Sequence, residues 1–201
     1  AGDVADLHAD AIMSCPGARL HGVWNRTPGR GQRKAEQYDC RFYETAEELV
    51  KDPALDAVFV LTNLETHREY AELAMRHGKH VLVEKPAGCN LEEIASMREA
   101  SIANNVQCVP VHNYIYEPSV ERTRDLIDQR KLGKIVSVDV LYNIHHPESV
   151  AARYPGVIRQ IMTHHAYILL YLAGEPVTVA AMKAAINDGS VEQENLAVAT
   201  L

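Results

Sequence analysis

The sequence predicts an α/β protein in which a doubly wound parallel sheet is followed by an α+β region with an open, mostly antiparallel sheet. Three observations predict this class: continuous apolar runs in the first half, helix-start patterns between them, and strict apolar–polar alternation after residue 112. Continuous runs are typical of strands buried on both faces of a parallel sheet, whereas alternation is typical of an antiparallel sheet with one solvated face.

The first half is predicted to alternate strands with helices. Apolar runs that predict strands cover residues 20–25, 57–62, 80–84 and 106–111. Between them lie capping-box patterns, each with a glutamate three positions after the N-cap residue: Thr45 with Glu48, Thr66 with Glu69, and Asn90 with Glu93. Such pairs satisfy free backbone amides at a helix start, so we expect a helix after each of them.

The second half follows another pattern. We expect helices over residues 118–130 and 159–172, and strands over residues 135–144, 177–186 and 196–201. In the run 135–144, Val136, Val138 and Val140 share one face, which predicts an antiparallel strand. The predicted domains are therefore residues 1–112 and residues 113–201.

Composition excludes several classes of protein and partner. The chain has 201 residues, of which 47% are hydrophobic and 23% are charged, as in ordinary globular proteins and unlike collagen-like, disordered or coiled-coil chains. Its net charge of −7 argues against nucleic acid as a partner. Its apolar runs are far shorter than the ~20 residues that cross a bilayer, which argues against a membrane protein.

Cysteines and histidines give no metal-site pattern. The four cysteines are widely spaced without a C-x-x-C pair, which predicts reduced thiols in a cytoplasmic protein. His164 and His165 are adjacent, and neighbours on a helix point about 100° apart, so they are poor joint ligands. We therefore expect no bound metal.

The beginning of the chain resembles part of a dinucleotide-binding turn. Gly2, Asp3, Val4 and Ala5 precede a helix-compatible segment, and a small residue at a strand-to-helix turn lets the backbone approach a pyrophosphate. Gly2 and Ala5 would be the second and third small positions of G-x-G-x-x-G/A. We therefore expect a central strand before residue 1, and, because the chain ends in an apolar run, an excerpt that folds poorly in isolation.

Residues after the run 20–25 bear on the choice of cofactor. An acidic residue near this position would hold the adenosine ribose, but the chain has Asn25, Arg26 and Thr27. The absence of a carboxylate removes repulsion toward a 2′-phosphate, and Arg26 offers a fork of donors to bind one. The sequence therefore favours NADP(H) over NAD(H). A solvated basic loop without a role in cofactor binding is the alternative interpretation of the same residues.

Glu84 and Lys85 follow the run 80–84 at the edge where open α/β sheets bind ligands. A lysine there can exchange a proton with a substrate hydroxyl if burial or a nearby cation lowers its pKa. An exposed lysine at a strand end is the alternative.

These residues resemble a known family. The run Gly78–Pro86 reads G-K-H-V-x-x-E-K-P and is preceded by the strand 57–62 and His67. With Gly133-Lys134-Ile135, His164 and Gly174-Glu175-Pro176 in the same order, the chain resembles the glucose–fructose oxidoreductase/inositol dehydrogenase (Gfo/Idh/MocA) family over essentially its whole length.

The resemblance implies a Rossmann domain, a second domain whose open sheet makes a homo-oligomer interface, and a nicotinamide cofactor. It implies hydride transfer between this cofactor and a sugar, cyclitol or related polyol. Carried over by position, Lys85 is the catalytic lysine and Glu84 lies near the nicotinamide ribose. The remaining cofactor-contacting positions are Thr62, Asn63, which replaces the family's usual proline, His67 and Asn113.

The chain departs from the family pattern in its second catalytic element. His164 keeps the family's histidine, but Gln160 and Tyr167 replace the two aspartates. A spacing of four puts Gln160 and His164 on one face of an α-helix, where both can address one substrate. Because glutamine supplies no charge, two alternatives stay open: a nucleotide-binding sensor or assembly protein with little catalysis, and a non-redox sugar-modifying enzyme that uses its cofactor transiently.

Overall fold

The computed structural model describes residues 4–143, 145, 156–186 and 193–201. They divide into two compact units, Ala1–Val111 and His112–Leu201. The helices in the described ranges are all too short or too polar to cross a membrane.

The N-terminal unit alternates helices and parallel strands. In chain order its elements are α1 (Ala5–Ser14), β1 (Gly22–Val23), α2 (Pro28–Gln37), β2 (Arg41–Phe42), α3 (Ala46–Lys51), β3 (Ala57–Val60), α4 (His67–Arg76), β4 (His80–Val83), α5 (Leu91–Ala103) and β5 (Cys108–Pro110). All pairings are parallel: β1 pairs with β2, and β4 lies between β3 and β5. The predicted parallel α/β fold is confirmed.

The core of this unit lies between the three-stranded sheet and its helices. Val60 and Val83, which are register partners on β3 and β4, are almost fully buried. Ala71, Ala74 and Met75 on α4 pack against them with no exposed surface. Burying one such apolar side chain contributes roughly 1.5–3 kcal/mol to the stability of the fold. This packing therefore holds the ends of β3 and β4 in place relative to each other.

Two of the three predicted caps are confirmed. The Thr45 side chain accepts a hydrogen bond from Glu48 N (3.1 Å), and Asn90 Oδ1 accepts one from Glu93 N (2.9 Å). The third is wrong in its mechanism: α4 begins after Thr66 as expected, but the Thr66 hydroxyl donates backward to Asn63 O (2.9 Å). The acceptor Asn63 is the N-cap residue of a short 3₁₀ turn, Leu64–Thr66.

Helix α2 and strand β2 were not predicted. The stretch reads as a basic loop because its buried face consists of Gly31 and Ala35, which carry almost no apolar signal. Pro28 in the first turn and Thr27 before it are ordinary helix-start signals that indicate this helix.

The C-terminal unit combines helices with an antiparallel pair of strands. Its elements are a 3₁₀ turn (Asn113–Tyr116), α6 (Pro118–Asp128), a π-helical turn (Ile158–Met162), α7 (Thr163–Ala173), β6 (Ala180–Ala184) and β7 (Leu196–Thr200). Strands β6 and β7 are antiparallel, with Met182 opposite Val198. Arg124 Nη1 donates to Tyr171 O (2.7 Å) and ties α6 to α7.

One prediction for this unit is wrong and one needs a correction. Residues 135–143 form no strand, and Ile144 lies outside the described residues. Val136 is 91% exposed, and the part of the chain described offers residues 135–143 no hydrogen-bonded neighbour strand. The predicted helix 159–172 is confirmed, but it is α-helical only from Thr163, because its first turn is π-helical.

Replacing Gly22 with alanine is expected to destabilise the protein. A Cβ at Gly22 would lie 2.7 Å from the backbone oxygen of Arg41 on the paired strand, and this oxygen cannot move without breaking the β1–β2 pairing. We expect Gly22→Ala to lower the free energy of unfolding of the full-length protein by about 1–3 kcal/mol in urea titrations. Gly29→Ala in α2, where the nearest atom is the flexible end of Arg33 at 3.7 Å, is the matched control and should lose nothing. Equal effects of the two substitutions would contradict this expectation.

Candidate functional site

The end of β4 carries a glutamate and a lysine whose backbone is fixed to the neighbouring strand. Glu84 N donates to Val60 O (3.0 Å), which extends the β3–β4 pairing by one bond beyond β4. Lys85 follows immediately, and the Lys85–Pro86 peptide is cis. Both side chains are therefore held at the carboxyl edge of the parallel sheet, as the sequence predicts.

The Glu84 carboxylate has a donor on each oxygen. Its Oε1 lies 3.0 Å from His8 Nε2 on α1, and its Oε2 accepts from the backbone N–H of Lys85 (2.8 Å). Burial raises the pKa of this carboxyl, but the two hydrogen bonds outweigh burial and bring the pKa below its ordinary value. Glu84 is therefore a carboxylate that stays ionised although it is half-buried.

Lys85 is also half-buried, and burial lowers the pKa of its ammonium while the charge of Glu84 opposes this effect. The net direction is downward, toward the range in which an amine exchanges protons near neutral pH. Burial therefore makes Lys85 easier to deprotonate than a solvated lysine.

His67 joins the loops that follow β3 and β4. Its side chain is buried, with Nδ1 lying 2.9 Å from Pro86 O and Nε2 lying 3.0 Å from Thr62 O. Thr62 has a second contact, because its Oγ1 lies 2.9 Å from Thr66 Oγ1. Asn63 is exposed next to this bridge. Thr62, Asn63 and His67 thus form one rigid corner beside Lys85-Pro86.

A cleft of about 730 Å³ separates β1 from β3. Asn25, Arg26 and Thr27 line it, as do Thr62 and Asn63, whereas Glu84 and Lys85 do not. Since β1 and β3 are not hydrogen-bonded to each other, most of this volume is the gap between two sheets, and only its polar edge is a candidate nucleotide site.

The predicted nucleotide turn lies partly outside the described residues. Gly2 and Asp3 fall there, while Val4 is the N-cap residue of α1 and Ala5 begins the helix. Asn25 Nδ2 donates to Thr27 O (2.9 Å), which shapes the turn before α2. Arg26 and Thr27 are exposed at this turn.

Lys34 is used to join two helices. Its Nζ donates to Asp6 Oδ1 on α1 and to Gln37 Oε1 (2.9 Å), and the Tyr38 hydroxyl donates to the same Asp6 oxygen (2.7 Å). The hydrogen bond from Lys34 is the largest cause of the lowered pKa of Asp6. Lys34 is therefore a structural cation, which leaves Arg19, Arg26 and Arg30 as the arginines that line the cleft.

The C-terminal unit contains two stacked histidine–tyrosine pairs. His164 on α7 is buried, and its ring stacks on Tyr114 with centroids 4.1 Å apart and planes 11° apart. His112 stacks on Tyr167 in the same way, at 4.0 Å and 15°. Tyr167, at the position where the resemblance implies an aspartate, thus packs by stacking on His112.

Gln160 lies in the π-helical turn, half-buried, four residues before His164. Because a π turn holds more residues than an α turn, the predicted alignment of Gln160 directly under His164 does not follow from the spacing.

Asn113 is exposed at the start of the 3₁₀ turn. His165 makes an edge contact with Tyr142 at 6.0 Å, and burial lowers its pKa.

Sequence reasoning missed His8 and Tyr114. His8 stands six residues after Gly2, in the first turn of a predicted helix. Its place in that helix, close to the predicted nucleotide turn, was the signal that could have marked it as a site residue. Tyr114 had no signal, because a stacking partner can come from any residue type with a flat ring. Within the described ranges, no three histidine, cysteine, aspartate or glutamate side chains converge as a metal site.

Comparisons with known proteins identify the family of this chain. Residues 1–112 match the Gfo/Idh/MocA oxidoreductase family with an NAD-binding Rossmann fold, and residues 120–201 match the C-terminal domain of the same family. The chain belongs to this family. The resemblance given by the motif around Glu84 and Lys85 is thereby confirmed.

Individual members of the Gfo/Idh/MocA family are distant. The scyllo-inositol 2-dehydrogenase (NAD⁺) of Bacillus subtilis is 28% identical over 197 residues, covering 96% of this chain and 58% of the relative. A scyllo-inositol 2-dehydrogenase (NADP⁺) of the same organism is 29% identical over 150 residues, 71% of this chain and 42% of the relative. The chain thus spans about half the length of these relatives.

Solved structures agree on the fold. The WlbA dehydrogenase from Chromobacterium violaceum, solved with NADH and UDP-GlcNAcA, superposes with a TM-score of 0.89 at 19% identity, over 98% of this chain and 60% of that one.

The His67 bridge gives a testable expectation. In His67→Leu, the ring that contacts Thr62 O and Pro86 O is lost and a carbonyl oxygen loses its N–H donor, so we expect the free energy of unfolding of the full-length protein to fall by about 1–3 kcal/mol in urea titrations. His77→Leu is the control, since His77 also contacts a backbone oxygen, Leu73 O at 2.9 Å, but is exposed to water. A loss in His67→Leu no larger than in the control would show that the bridge does not hold this corner.

Proposed function

We propose that this chain is the nucleotide-binding and substrate-binding part of an NAD(P)-dependent oxidoreductase that transfers a hydride between the nicotinamide and a sugar, cyclitol or related polyol. The observation that carries the proposal is Lys85: a half-buried lysine with a lowered pKa, next to an ionised glutamate at the carboxyl edge of a parallel sheet.

The residues at this edge fit a dinucleotide. The α1 helix starts at Ala5 with free backbone amides, which suit a pyrophosphate, and Asn25 with Arg26 faces the cleft where an adenosine ribose would lie. Thr62, Asn63 and His67 would support the nicotinamide half. When bound, the nicotinamide would supply the hydride acceptor or donor.

Lys85 would handle the proton of the substrate hydroxyl. As a neutral amine it would accept this proton during oxidation of a carbinol, and as an ammonium it would return the proton during reduction of a carbonyl. Because burial lowers the pKa of Lys85, a larger fraction is neutral near pH 7 than for a solvated lysine. Oxidation should therefore accelerate as the pH rises through the pKa of this amine.

We assign His164 and Gln160 to the substrate. The imidazole of His164 can take or give a proton near neutral pH. Its ring is held by the Tyr114 stack, which fixes its plane where the family uses carboxylates. Gln160 would donate and accept hydrogen bonds to a substrate hydroxyl without adding charge.

The names of the relatives support the substrate class. Both Bacillus subtilis relatives are named for oxidation of scyllo-inositol, a cyclitol. A panel of cyclitols and sugars is therefore the rational starting set for assays.

A second candidate function follows from the replaced aspartates. Tyr167 stacks on His112 where the family has a carboxylate, so the chain could bind nucleotide with little catalysis and act as a sensor. Binding and turnover measured together separate the two functions.

Lys85→Met is the test of the catalytic proposal. In the full-length protein we expect turnover across the panel to fall by about 10²–10⁴-fold, because a general acid/base contributes on this scale. Dinucleotide affinity, measured by nicotinamide fluorescence, should change by no more than a few-fold. Lys51→Met, which removes an exposed lysine from α3, should match the wild type.

Equal turnover in Lys85→Met and wild type would end the role of Lys85. Tight nucleotide binding by the wild type with no turnover on any substrate would instead favour the sensor.

We further propose that NADP(H) is preferred. The turn Asn25–Thr27 carries no carboxylate to compete with a 2′-phosphate, and Arg26 is exposed at the cleft edge. The two relatives are named for NAD⁺ and NADP⁺ respectively, so the family tolerates both.

Reversing the charge of Arg26 tests this preference. We expect Arg26→Glu to raise the KM for NADP⁺ by roughly 10–100-fold, the value of a charge-assisted hydrogen bond, while the KM for NAD⁺ changes little. Arg98→Glu, the same change at an exposed site on α5, is the control. Parallel increases in both KM values would show that Arg26 does not bind the 2′-phosphate of NADP⁺.

The same proposal includes self-association through the β6–β7 sheet. Apolar side chains on and beside this sheet are strongly exposed to solvent: Val177 is 99% exposed, Met182 69% and Val198 51%. Exposed apolar surface of this kind is typical of protein–protein interfaces. A second copy of the protein would cover this sheet.

A further inference from the structure

The contact between His8 and Glu84 has a role beyond packing. His8 lies on α1, Glu84 lies after β4, and the two are 76 residues apart in sequence. Because a carboxylate only accepts hydrogen bonds, the 3.0 Å contact requires that Nε2 of His8 carries the hydrogen and donates it to Oε1. The ring of His8 also packs edge-on against Phe59, at a centroid distance of 5.7 Å, which limits its rotation.

Glu84 is consequently held from two sides. Oε1 is bound by His8, and Oε2 is bound by the backbone N–H of Lys85. The side chains of His8 and Glu84 are each only 15% exposed, so water replaces neither contact easily. In this position the carboxylate acts on the Lys85 ammonium through its charge.

We propose that His8 is a positioning residue, which holds the Glu84 carboxylate against α1 and thereby limits how closely this carboxylate pairs with the ammonium of Lys85. The inference rests on the proposed role of Lys85 as the proton-transfer group. It assigns to the nucleotide-binding helix a direct influence on the charge state of the lysine.

The charges around this point support the proposal. Among the described residues, His8 from α1 contacts the Glu84 carboxylate, Glu84 contacts the backbone N–H of Lys85, and His67 at the start of α4 contacts the backbone of Pro86. His67 faces two backbone carbonyl oxygens, while Phe59 on β3 is apolar. The Glu84 carboxylate is thus a negative charge that acts on Lys85 and whose position His8 holds.

Loss of His8 is therefore expected to strengthen the Glu84–Lys85 pair. In His8→Leu, Oε1 loses its donor and can turn toward the ammonium, which stabilises the charged form of Lys85. His8→Gln carries an amide N–H at the end of a similar reach and should hold Oε1 in place. His8→Met, a second apolar variant with good helix propensity, repeats the test with a different shape.

Competitive labelling measures the effect without turnover. Full-length protein is treated with a trace of acetic anhydride at a series of pH values, and acetylation of Lys85 is quantified by mass spectrometry of its peptide. We expect the midpoint of Lys85 reactivity to rise by about one pH unit in His8→Leu and His8→Met, because an opposite charge at short range shifts a pKa by about 1–3 units. In His8→Gln the midpoint should stay near that of the wild type.

A double variant identifies the route of the effect. Glu84→Gln should lower the midpoint of Lys85, and His8→Leu added to Glu84→Gln should change it no further, because no carboxylate remains to be released. An unchanged midpoint in His8→Leu, or an equal shift in both backgrounds, would overturn the proposal. Since labelling needs no substrate, a protein without dehydrogenase activity would refute the proposed function while leaving this measurement interpretable.

Discussion

The candidate site depends on the fixed positions of the ends of β3 and β4 relative to each other. The bond from Glu84 N to Val60 O continues the sheet one residue past β4, and His67 then joins the two following loops through Thr62 O and Pro86 O. These contacts lie directly above the buried pair Val60 and Val83. A lysine exchanges protons efficiently only if it is held in place and partly dehydrated, and the packing beneath it supplies both conditions.

Two carboxylates of this unit, Glu84 and Asp6, are each held by hydrogen-bond donors. Glu84 is stabilised by His8 and by a backbone amide, and Asp6 is stabilised by Lys34 and Tyr38. The first network surrounds Lys85, and the second fastens α1 to α2. Both begin on α1, so this helix organises two regions.

Much of the fold could be predicted from the sequence, because parallel strands buried on both faces give continuous apolar runs, as 57–62 and 80–84 do. The strand ends then placed Glu84 and Lys85. Helix α2 was missed because Gly31 and Ala35 form a buried face without apolar signal. The strand 135–144 was wrongly predicted because alternation reports a strand only where a neighbour pairs with it. Contacts between distant residues, such as His8 with Glu84, depend on tertiary geometry that no local pattern contains.

The π-helical turn at Ile158–Met162 has a consequence for natural variation. Such a turn accommodates one residue more than an α-helix of the same height, so it acts as a reversible insertion inside an otherwise regular element. Deleting a single residue there would restore uniform winding while leaving Thr163–Ala173 intact. Everything on the upstream side would then swing by about 100° around the axis, and a different side chain would stand where Gln160 now does. Homologous chains that differ in length by one at this point should therefore differ in which group accompanies the histidine.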